Sequence, residues 1–219
     1  MGKTILNFEA IVFDLDGLLI DTESIALRAF EEASILAGVK LSRDVFNRCV
    51  GTNHKTIATI IKDAVPEVSK FEKFCFEWSR LYSDICDSGV PLMPGALPLL
   101  DHLEYNKVRM AIATSSAIQS ATKKLKLAGI YDYFQCIVSG DQVTNGKPHP
   151  EPYLMAAEAL GVPPAQCLAL EDSTNGVLSA FHSGMTVVQI PNLILPDEEL
   201  LKLGHTVLSS LDQVVDIDF

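Results

Sequence analysis

Two pairs of acidic residues follow short apolar runs in this sequence. Asp14 and Asp16 come directly after residues 10–13, and Glu171 and Asp172 come directly after residues 167–170. Both runs have the length and composition of strands that are buried on both faces. Ligands of an open parallel sheet bind outside the carboxyl ends of its strands, so we expect the four acids at one edge. Together they would carry a formal charge of −4.

This acidic cluster needs positive charge beside it, because buried like charges are unfavourable without a cation or a shared proton. Lys147, in the loop after residues 136–138, would reduce the formal charge to −3, and a divalent cation would reduce it to −1. Carboxylate oxygens suit magnesium (Mg2+), which also accepts water and phosphate oxygens as ligands. Thr114, after residues 108–113, adds a hydroxyl that can donate to a phosphate. The set predicts a magnesium site, and entry of the phosphate of a small phosphorylated metabolite would depend on local donors such as Thr114.

Apolar runs alternate with helix-length segments through most of the chain. The runs are residues 10–13, 108–113, 136–138, 167–170 and 186–190, and the helical segments are 96–106, 117–128, 151–160 and 174–183. Such alternation predicts βαβ units and a mainly parallel sheet. The expected fold class is therefore α/β, with a Rossmann-like doubly wound parallel sheet as its core.

Residues 22–87 break this alternation. They contain no convincing strand, only three or four helical stretches with wide apolar faces, and Gly38 is expected to end the first of them. A stretch rich in Pro and Gly, residues 88–95, returns the chain to the alternating pattern. We therefore predict an inserted helical-bundle cap domain at 22–87 and a core domain made of residues 1–21 and 88–219.

Composition and charge limit the partners and the location of the protein. The 219 residues include 17 Lys and Arg against 28 Asp and Glu, a net charge of −11. Such a surface repels phosphate backbones and anionic lipid, so we expect no nucleic acid and no membrane as partners. No apolar run approaches the ~18 residues of a membrane span, and no signal peptide is evident. Five scattered cysteines agree with a reducing compartment. We expect a cytoplasmic protein, by default a monomer.

Four segments together resemble the motifs of the haloacid dehalogenase superfamily. They are FDLDGLLIDTE (residues 13–23), ATSS (113–116), GKPHPEPY (146–153) and LEDSTNGV (170–177), in the fitting order and at fitting separations. With a helical insertion after the first motif, the chain is similar to the β-phosphoglucomutase-like branch, and nearest to its sugar-phosphate and pseudouridine-phosphate phosphatases. One such motif alone would be weak, whereas the ordered set is highly specific.

The resemblance implies hydrolysis of a phosphomonoester through a covalent aspartyl-phosphate. Asp14 would attack phosphorus, and Asp16 would protonate the leaving alkoxide and then accept a proton from the hydrolytic water. Thr114 and Ser115 would bind phosphoryl oxygens, and Lys147 would neutralise charge between nucleophile and phosphate. Asp16 also favours phosphoryl transfer over dehalogenation, because a halide needs no acid to leave.

The resemblance also implies a magnesium ion in the same site. The Asp14 carboxylate, the Asp16 backbone carbonyl and Asp172 would hold the Mg2+, and Glu171 would support it from a second position. The alternative for Glu171 is a surface acid at a strand end.

Two alternative functions stay open at this point. Phosphosugar mutases of the β-phosphoglucomutase type carry a histidine in the first cap helix and an arginine early in the cap, where this chain has Ala26 and His54. Both departures favour hydrolysis, although Arg48 or Lys55 could substitute for the arginine. The other alternative is a non-catalytic binding protein on the same scaffold, and no loss of a motif residue supports it.

The sequence does not identify the phosphomonoester. Its identity depends on how cap side chains face the substrate, and the candidates are Arg48, His54, Lys55, Trp78 and Arg80.

Overall fold

The computed structural model describes residues 7–50, 52 and 54–216, without the side chains of His54, Lys55 and Asp216. The strands within these residues are β1 (Ala10–Phe13), β2 (Arg109–Ala113), β3 (Cys136–Val138), β4 (Cys167–Glu171), β5 (Thr186–Gln189) and β6 (Thr206–Val207). They form one sheet in the order β3-β2-β1-β4-β5-β6, and every neighbouring pair is parallel. The predicted α/β fold with a parallel sheet is confirmed.

Helices connect the strands and form a separate group early in the chain. They are α1 (Thr22–Ala37), α2 (Arg43–Cys49), α3 (His54–Ala64), α4 (Val68–Ser88), α5 (Ala96–Tyr105), α6 (Ile118–Leu127), α7 (Glu151–Leu160), α8 (Thr174–His182) and α9 (Glu198–Leu201). None of the helices in the described ranges is long and apolar enough to cross a membrane. The chain divides into two compact units, one of which is Asp21–Val90 and the other the rest of the chain.

The two central strands of the sheet are buried throughout. Every residue of β1 and of β4 is buried, and the two strands pair with Phe13 opposite Leu170. Helix α7 adds Tyr153, Ala156 and Ala157 to the same core. Burial stabilises apolar surface by about 25 cal/mol per Å2, so these central strands are firmly held. The residues that directly follow β1 and β4 are therefore attached to rigid strands.

The unit Asp21–Val90 has its own aromatic core. Phe30 of α1 packs edge to face against Phe46, Phe74 and Trp78, with ring centroids 5.1–5.3 Å apart. The indole N–H of Trp78 donates to the Ala26 carbonyl oxygen at 3.0 Å, which ties α4 to α1. Trp78 is thus a packing residue of this unit. The role of the segment as a cap stays a prediction.

Both ends of α1 follow local sequence signals. The Asp21 carboxylate accepts from the Ser24 backbone N–H at 3.1 Å and so caps the first turn. Gly38 ends the helix with φ of 66°, a left-handed conformation that glycine adopts without strain.

Candidate active site

The carboxyl ends of neighbouring strands bring predicted site residues to one edge of the sheet. The Asp14 backbone N–H donates to the Leu170 carbonyl at 3.0 Å, and the Thr114 N–H donates to the Val138 carbonyl at 2.9 Å. Both residues thus continue the hydrogen bonding of β1 and β2 by one position. Glu171 is the last residue of β4. Side chains on such supports have fixed directions, as a reactive site requires.

Asp14, Lys147 and Glu171 form a buried charged triad. The Lys147 Nζ lies 2.6 Å from Asp14 Oδ1 and 2.5 Å from Glu171 Oε1. Their side chains are nearly inaccessible: Lys147 is 5% exposed, Asp14 is 9% exposed and Glu171 is 0% exposed. One ammonium group between two carboxylates leaves a net formal charge of −1. Removing one partner therefore changes the electrostatic balance of the other two.

Burial and neighbouring charges shift the pKa values of this triad. Burial raises the pKa of Asp14 to about 7; Lys147 opposes the rise, and the charges of Glu171 and Asp16 add to it. Burial lowers the pKa of Lys147, but the Asp14 and Glu171 carboxylates outweigh burial and hold this pKa above its ordinary value. Lys147 therefore keeps its proton, and any further positive charge near Asp14 favours the ionised carboxylate.

Glu171 accepts hydrogen bonds at both carboxylate oxygens. Oε1 accepts from Lys147 and, at 2.8 Å, from the Tyr153 hydroxyl. Oε2 accepts from the backbone N–H groups of Asp172 and Ser173 and from the Ser173 hydroxyl, each at 3.1 Å. Burial and the charge of Glu171 raise the pKa of Tyr153 well above its ordinary value, so the phenol stays a donor. Glu171 is thus a fixed acceptor that holds Lys147.

The loop between β3 and α7 delivers Lys147 and is fastened by its own residues. The carboxylate of Glu151, the first residue of α7, accepts from the Thr144 N–H at 2.7 Å and from the Asn145 N–H at 2.9 Å. The bond from Thr144 and those from Asn145 lower the pKa of Glu151, so it stays an ionised acceptor. These contacts restrict the loop two residues before the lysine.

A second buried lysine lies beside Asp16. Lys124 Nζ, on α6, forms an ion pair with Asp16 Oδ1 and donates to Ser116 Oγ at 2.9 Å. Ser116 Oγ donates to Asp16 Oδ2 at 2.7 Å, and Thr114 Oγ1 is 3.4 Å from the same oxygen. The side chain of Asp16 is 27% exposed and that of Lys124 is 5% exposed. Asp16 is therefore bound by the turn after β2 and by α6.

The remaining predicted site residues differ in burial. Asp172 is 7% exposed, and its carbonyl oxygen accepts from Gln189 Nε2 at 3.1 Å, which fixes the backbone after β4. Ser115 is exposed at the turn after β2. Its role in phosphate binding stays a prediction.

Sequence reasoning missed Lys124 and did not single out Ser116 or Tyr153. Lys124 had a signal: it lies on the α6 face that also carries Ala121 and Leu125, both fully buried. A lysine within an apolar stripe is seldom buried unless it is paired, so this position indicates a buried acidic partner. The spacing alone does not say which acid.

The chemistry of the donors fits a magnesium ion. Four acidic side chains (Asp14, Asp16, Glu171, Asp172) against the two buried lysines leave a formal charge of −2. Among the described residues, no three His, Cys, Asp or Glu side chains gather into a metal-binding group. Mg2+ is commonly held by one or two carboxylates together with water and phosphate oxygens. The predicted ligand set, the Asp14 and Asp172 carboxylates with the Asp16 backbone carbonyl, is of this smaller kind and stays a prediction.

The candidate specificity residues belong to the unit Asp21–Val90. Arg80 forms ion pairs with two acids of its own helix, at 2.8 Å each, and Arg48 is exposed on α2. The side chains of His54 and Lys55 lie outside the described part of the chain.

The fold and the candidate site point to a class, an α/β enzyme in which acidic and basic side chains gather at the carboxyl edge of a parallel sheet. The chain belongs to the haloacid dehalogenase-like hydrolase family, whose model matches residues 11–190. The resemblance found in the sequence motifs is thereby confirmed.

Individual relatives match this chain over nearly its whole length. It is 35% identical over 218 residues to the "Probable pseudouridine-5'-phosphatase" of Drosophila melanogaster, covering 96% of this chain and 93% of the relative. It is 28% identical over 214 residues to the "Phosphorylated carbohydrates phosphatase" of Thermotoga maritima, covering 95% of this chain and 97% of the relative. The structure of CbbY from Rhodobacter sphaeroides, in complex with phosphate, matches with a TM-score of 0.77 at 28% identity, covering 96% and 100%.

Proposed function

We propose that this protein hydrolyses a small phosphomonoester, a sugar phosphate or a nucleotide-like phosphate, with Mg2+ and through an aspartyl-phosphate. Its membership of a hydrolase family supports the reaction class. Relatives named for phosphatase activity on phosphorylated carbohydrates and on pseudouridine 5'-phosphate support the substrate class. The observation that carries the proposal is the buried contact of 2.6 Å between Asp14 and Lys147.

Asp14 is the proposed nucleophile. One of its oxygens forms a bond to phosphorus while the bond from phosphorus to the leaving alkoxide breaks. Lys147 fixes the direction of the carboxylate and balances the negative charge that the phosphoryl group brings. Glu171 and Tyr153 act through Lys147, because their contacts hold the lysine in place. Mg2+ held by Asp14, Asp172 and the Asp16 carbonyl would neutralise further charge on the phosphoryl oxygens.

Asp16 and Thr114 complete the proposed reaction. Asp16 gives a proton to the leaving alkoxide, then takes a proton from the water that attacks phosphorus, and the bond between Asp14 and phosphorus breaks. The Thr114 hydroxyl donates to a phosphoryl oxygen. Both side chains follow central strands, so the proton donor and the oxygen ligand are held at one edge of the sheet.

Phosphate release from a panel of phosphorylated metabolites tests the proposal. We expect release from at least one sugar phosphate or nucleotide-like phosphate, and loss of release in Asp14→Asn. Asp132→Asn, the same change at an exposed position, is the control. Conversion of β-glucose 1-phosphate into glucose 6-phosphate without phosphate release would indicate the mutase instead. Binding of metabolites with no turnover of any would indicate a non-catalytic protein.

A further inference from the structure

Lys124 is a buried charge to which the proposed reaction assigns no role. It lies on α6 between Ala121 and Leu125, which are both fully buried, and its own side chain is 5% exposed. Burying an ammonium group costs free energy unless the group is paired with an opposite charge, so the ion pair with its partner is important for keeping Lys124 buried. That partner is Asp16, the proposed proton donor.

The contacts of Lys124 and Ser116 hold both oxygens of the Asp16 carboxylate. Lys124 binds Oδ1, Ser116 donates to Oδ2 at 2.7 Å, and Lys124 donates to Ser116 Oγ at 2.9 Å. The three groups close a ring, and the carboxylate cannot turn without breaking a charge-assisted bond. Ser116 is itself fixed, because its backbone N–H donates to Thr114 Oγ1 at 3.1 Å.

Asp16 needs such support because the chain turns sharply next to it. Gly17 follows with φ of 92°, and its carbonyl accepts from Asn192 Nδ2 at 3.2 Å. The turn sets the backbone of Asp16, while the direction of its side chain depends on what holds the carboxylate. A proton donor must reach the leaving oxygen within hydrogen-bond distance, and an error of about 1 Å in such a group can cost about 10²-fold in rate.

We infer that Lys124 is a positioning residue for Asp16: together with Ser116 it fixes the direction from which Asp16 reaches the leaving-group oxygen. This inference rests on the proposed function, in which Asp16 protonates that oxygen. A lysine that only stabilised the fold, or that only bound the phosphoryl group, would affect all phosphomonoesters alike. A lysine that acts through Asp16 affects those whose leaving group needs the proton.

The test compares phenyl phosphate with p-nitrophenyl phosphate in Lys124→Met, Lys124→Arg and the wild type. The two probes have similar shapes, but p-nitrophenolate leaves readily without a proton and phenolate does not. We expect Lys124→Met to lower kcat/KM for phenyl phosphate at least about 10-fold more than for p-nitrophenyl phosphate, since general acids contribute about 10²–10⁴-fold. Lys124→Arg keeps the charge, so it should recover part of the kcat/KM for phenyl phosphate that Lys124→Met loses. Because hydrolysis of the phosphoenzyme is common to both probes, it does not enter the comparison.

Two further variants keep the test decisive. Lys123→Met makes the same change at an exposed position of α6 and should leave the ratio of the two kcat/KM values unchanged. Ser116→Ala removes one hydrogen bond to Asp16. It should lower kcat/KM less than Lys124→Met does, and again more for phenyl phosphate than for p-nitrophenyl phosphate. This variant tests the inference even if Lys124→Met does not fold. Equal losses for both probes in Ser116→Ala and in the folded Lys124 variants would overturn the role of Lys124. A wild type that releases phosphate from neither probe nor any panel metabolite would instead contradict the proposed function.

Discussion

The carboxylate of Glu171 fills the space that a side chain on Gly176 would need. A Cβ built on Gly176 would come within 1.8 Å of both the carboxyl carbon and Oε1 of Glu171. Gly176 lies in the first turn of α8, where its N–H donates to Ser173 Oγ at 3.1 Å. A glycine is therefore required at 176 by the close approach of the buried acid that holds Lys147.

Gly176→Ala is expected to lower both stability and turnover. The methyl group forces Glu171 or α8 to shift, and such overpacking costs about 1–3 kcal/mol in the free energy of unfolding. The shift also moves Lys147, so kcat should fall. Urea unfolding and phosphate release measure the two effects. Gly146→Ala is the control for stability, because a Cβ there meets no atom within 4 Å. Equal stability of the two variants would contradict the close packing of Glu171.

Glu171→Gln is expected to destabilise the protein despite its small change in shape. Both carboxylate oxygens accept from donors, so an amide NH2 group at either position would face other donors. An unsatisfied buried group of this kind costs about 1–3 kcal/mol. Thermal unfolding measures the loss, with the exposed Glu158→Gln as the control. A Tm equal to that of the wild type would show that the hydrogen bonds of Glu171 do not matter for stability.

In chelator, the contribution of Asp14 to the stability of the protein should fall as the pH rises from about 4 to about 7. Burial raises the pKa of Asp14 from 3.8 to about 7, so the folded state binds a proton in this window that the unfolded state has released. Ionising Asp14 at higher pH therefore costs folding free energy. In Asp14→Asn this cost is absent. The difference between the Tm of the variant and the Tm of the wild type should therefore be more favourable to the variant at about pH 8 than at about pH 5. A difference in Tm that is independent of pH would contradict the raised pKa.

Removal of divalent cations is expected to abolish most phosphate release. The acidic side chains exceed the buried lysines by a formal charge of two, so a phosphate approaching the site without Mg2+ is repelled. We expect a loss of at least about 10²-fold in chelator and recovery when Mg2+ is added in excess. The far-UV circular dichroism spectrum serves as the control for folding. Undiminished turnover in chelator would contradict the metal assignment.

Five strands, β1 to β5, were predictable because each is a short, largely apolar run; β1 and β4 are buried throughout, whereas two of the three residues of β3 are only half-buried. Residues 10–13 and 136–138 match β1 and β3, and residues 108–113 exceed β2 by one residue. The strand β6 was missed, because two residues, Thr206 and Val207, show no periodicity. Their pairing with β5 depends on the sheet already being formed.

The candidate site was predictable where its residues follow strands, and not where they come from helices. Asp14 and Thr114 come directly after β1 and β2, and Glu171 is the last residue of β4; the three strands are neighbours in the sheet. Lys124 reaches Asp16 from α6, and the distance between these positions in the sequence gives no indication of the contact. The sequence also suggested Glu171 as a support for the metal, and that role stays a prediction; its contacts with Lys147, Tyr153 and the backbone after β4 were not predictable. Which groups these side chains contact depends on how the helices pack against the sheet, and the sequence alone does not show that packing.

In the proposed reaction, Asp14 carries the phosphoryl group during turnover. The most direct measurement is acid quenching of the enzyme during turnover of p-nitrophenyl phosphate, then borohydride reduction and mass spectrometry of the peptide that contains residue 14. Reduction of an aspartyl-phosphate yields homoserine, so we expect homoserine at position 14 in the wild type and none in Asp14→Asn. Phosphate release by a wild-type enzyme that shows no modification at Asp14, or shows it at another residue, would contradict the account.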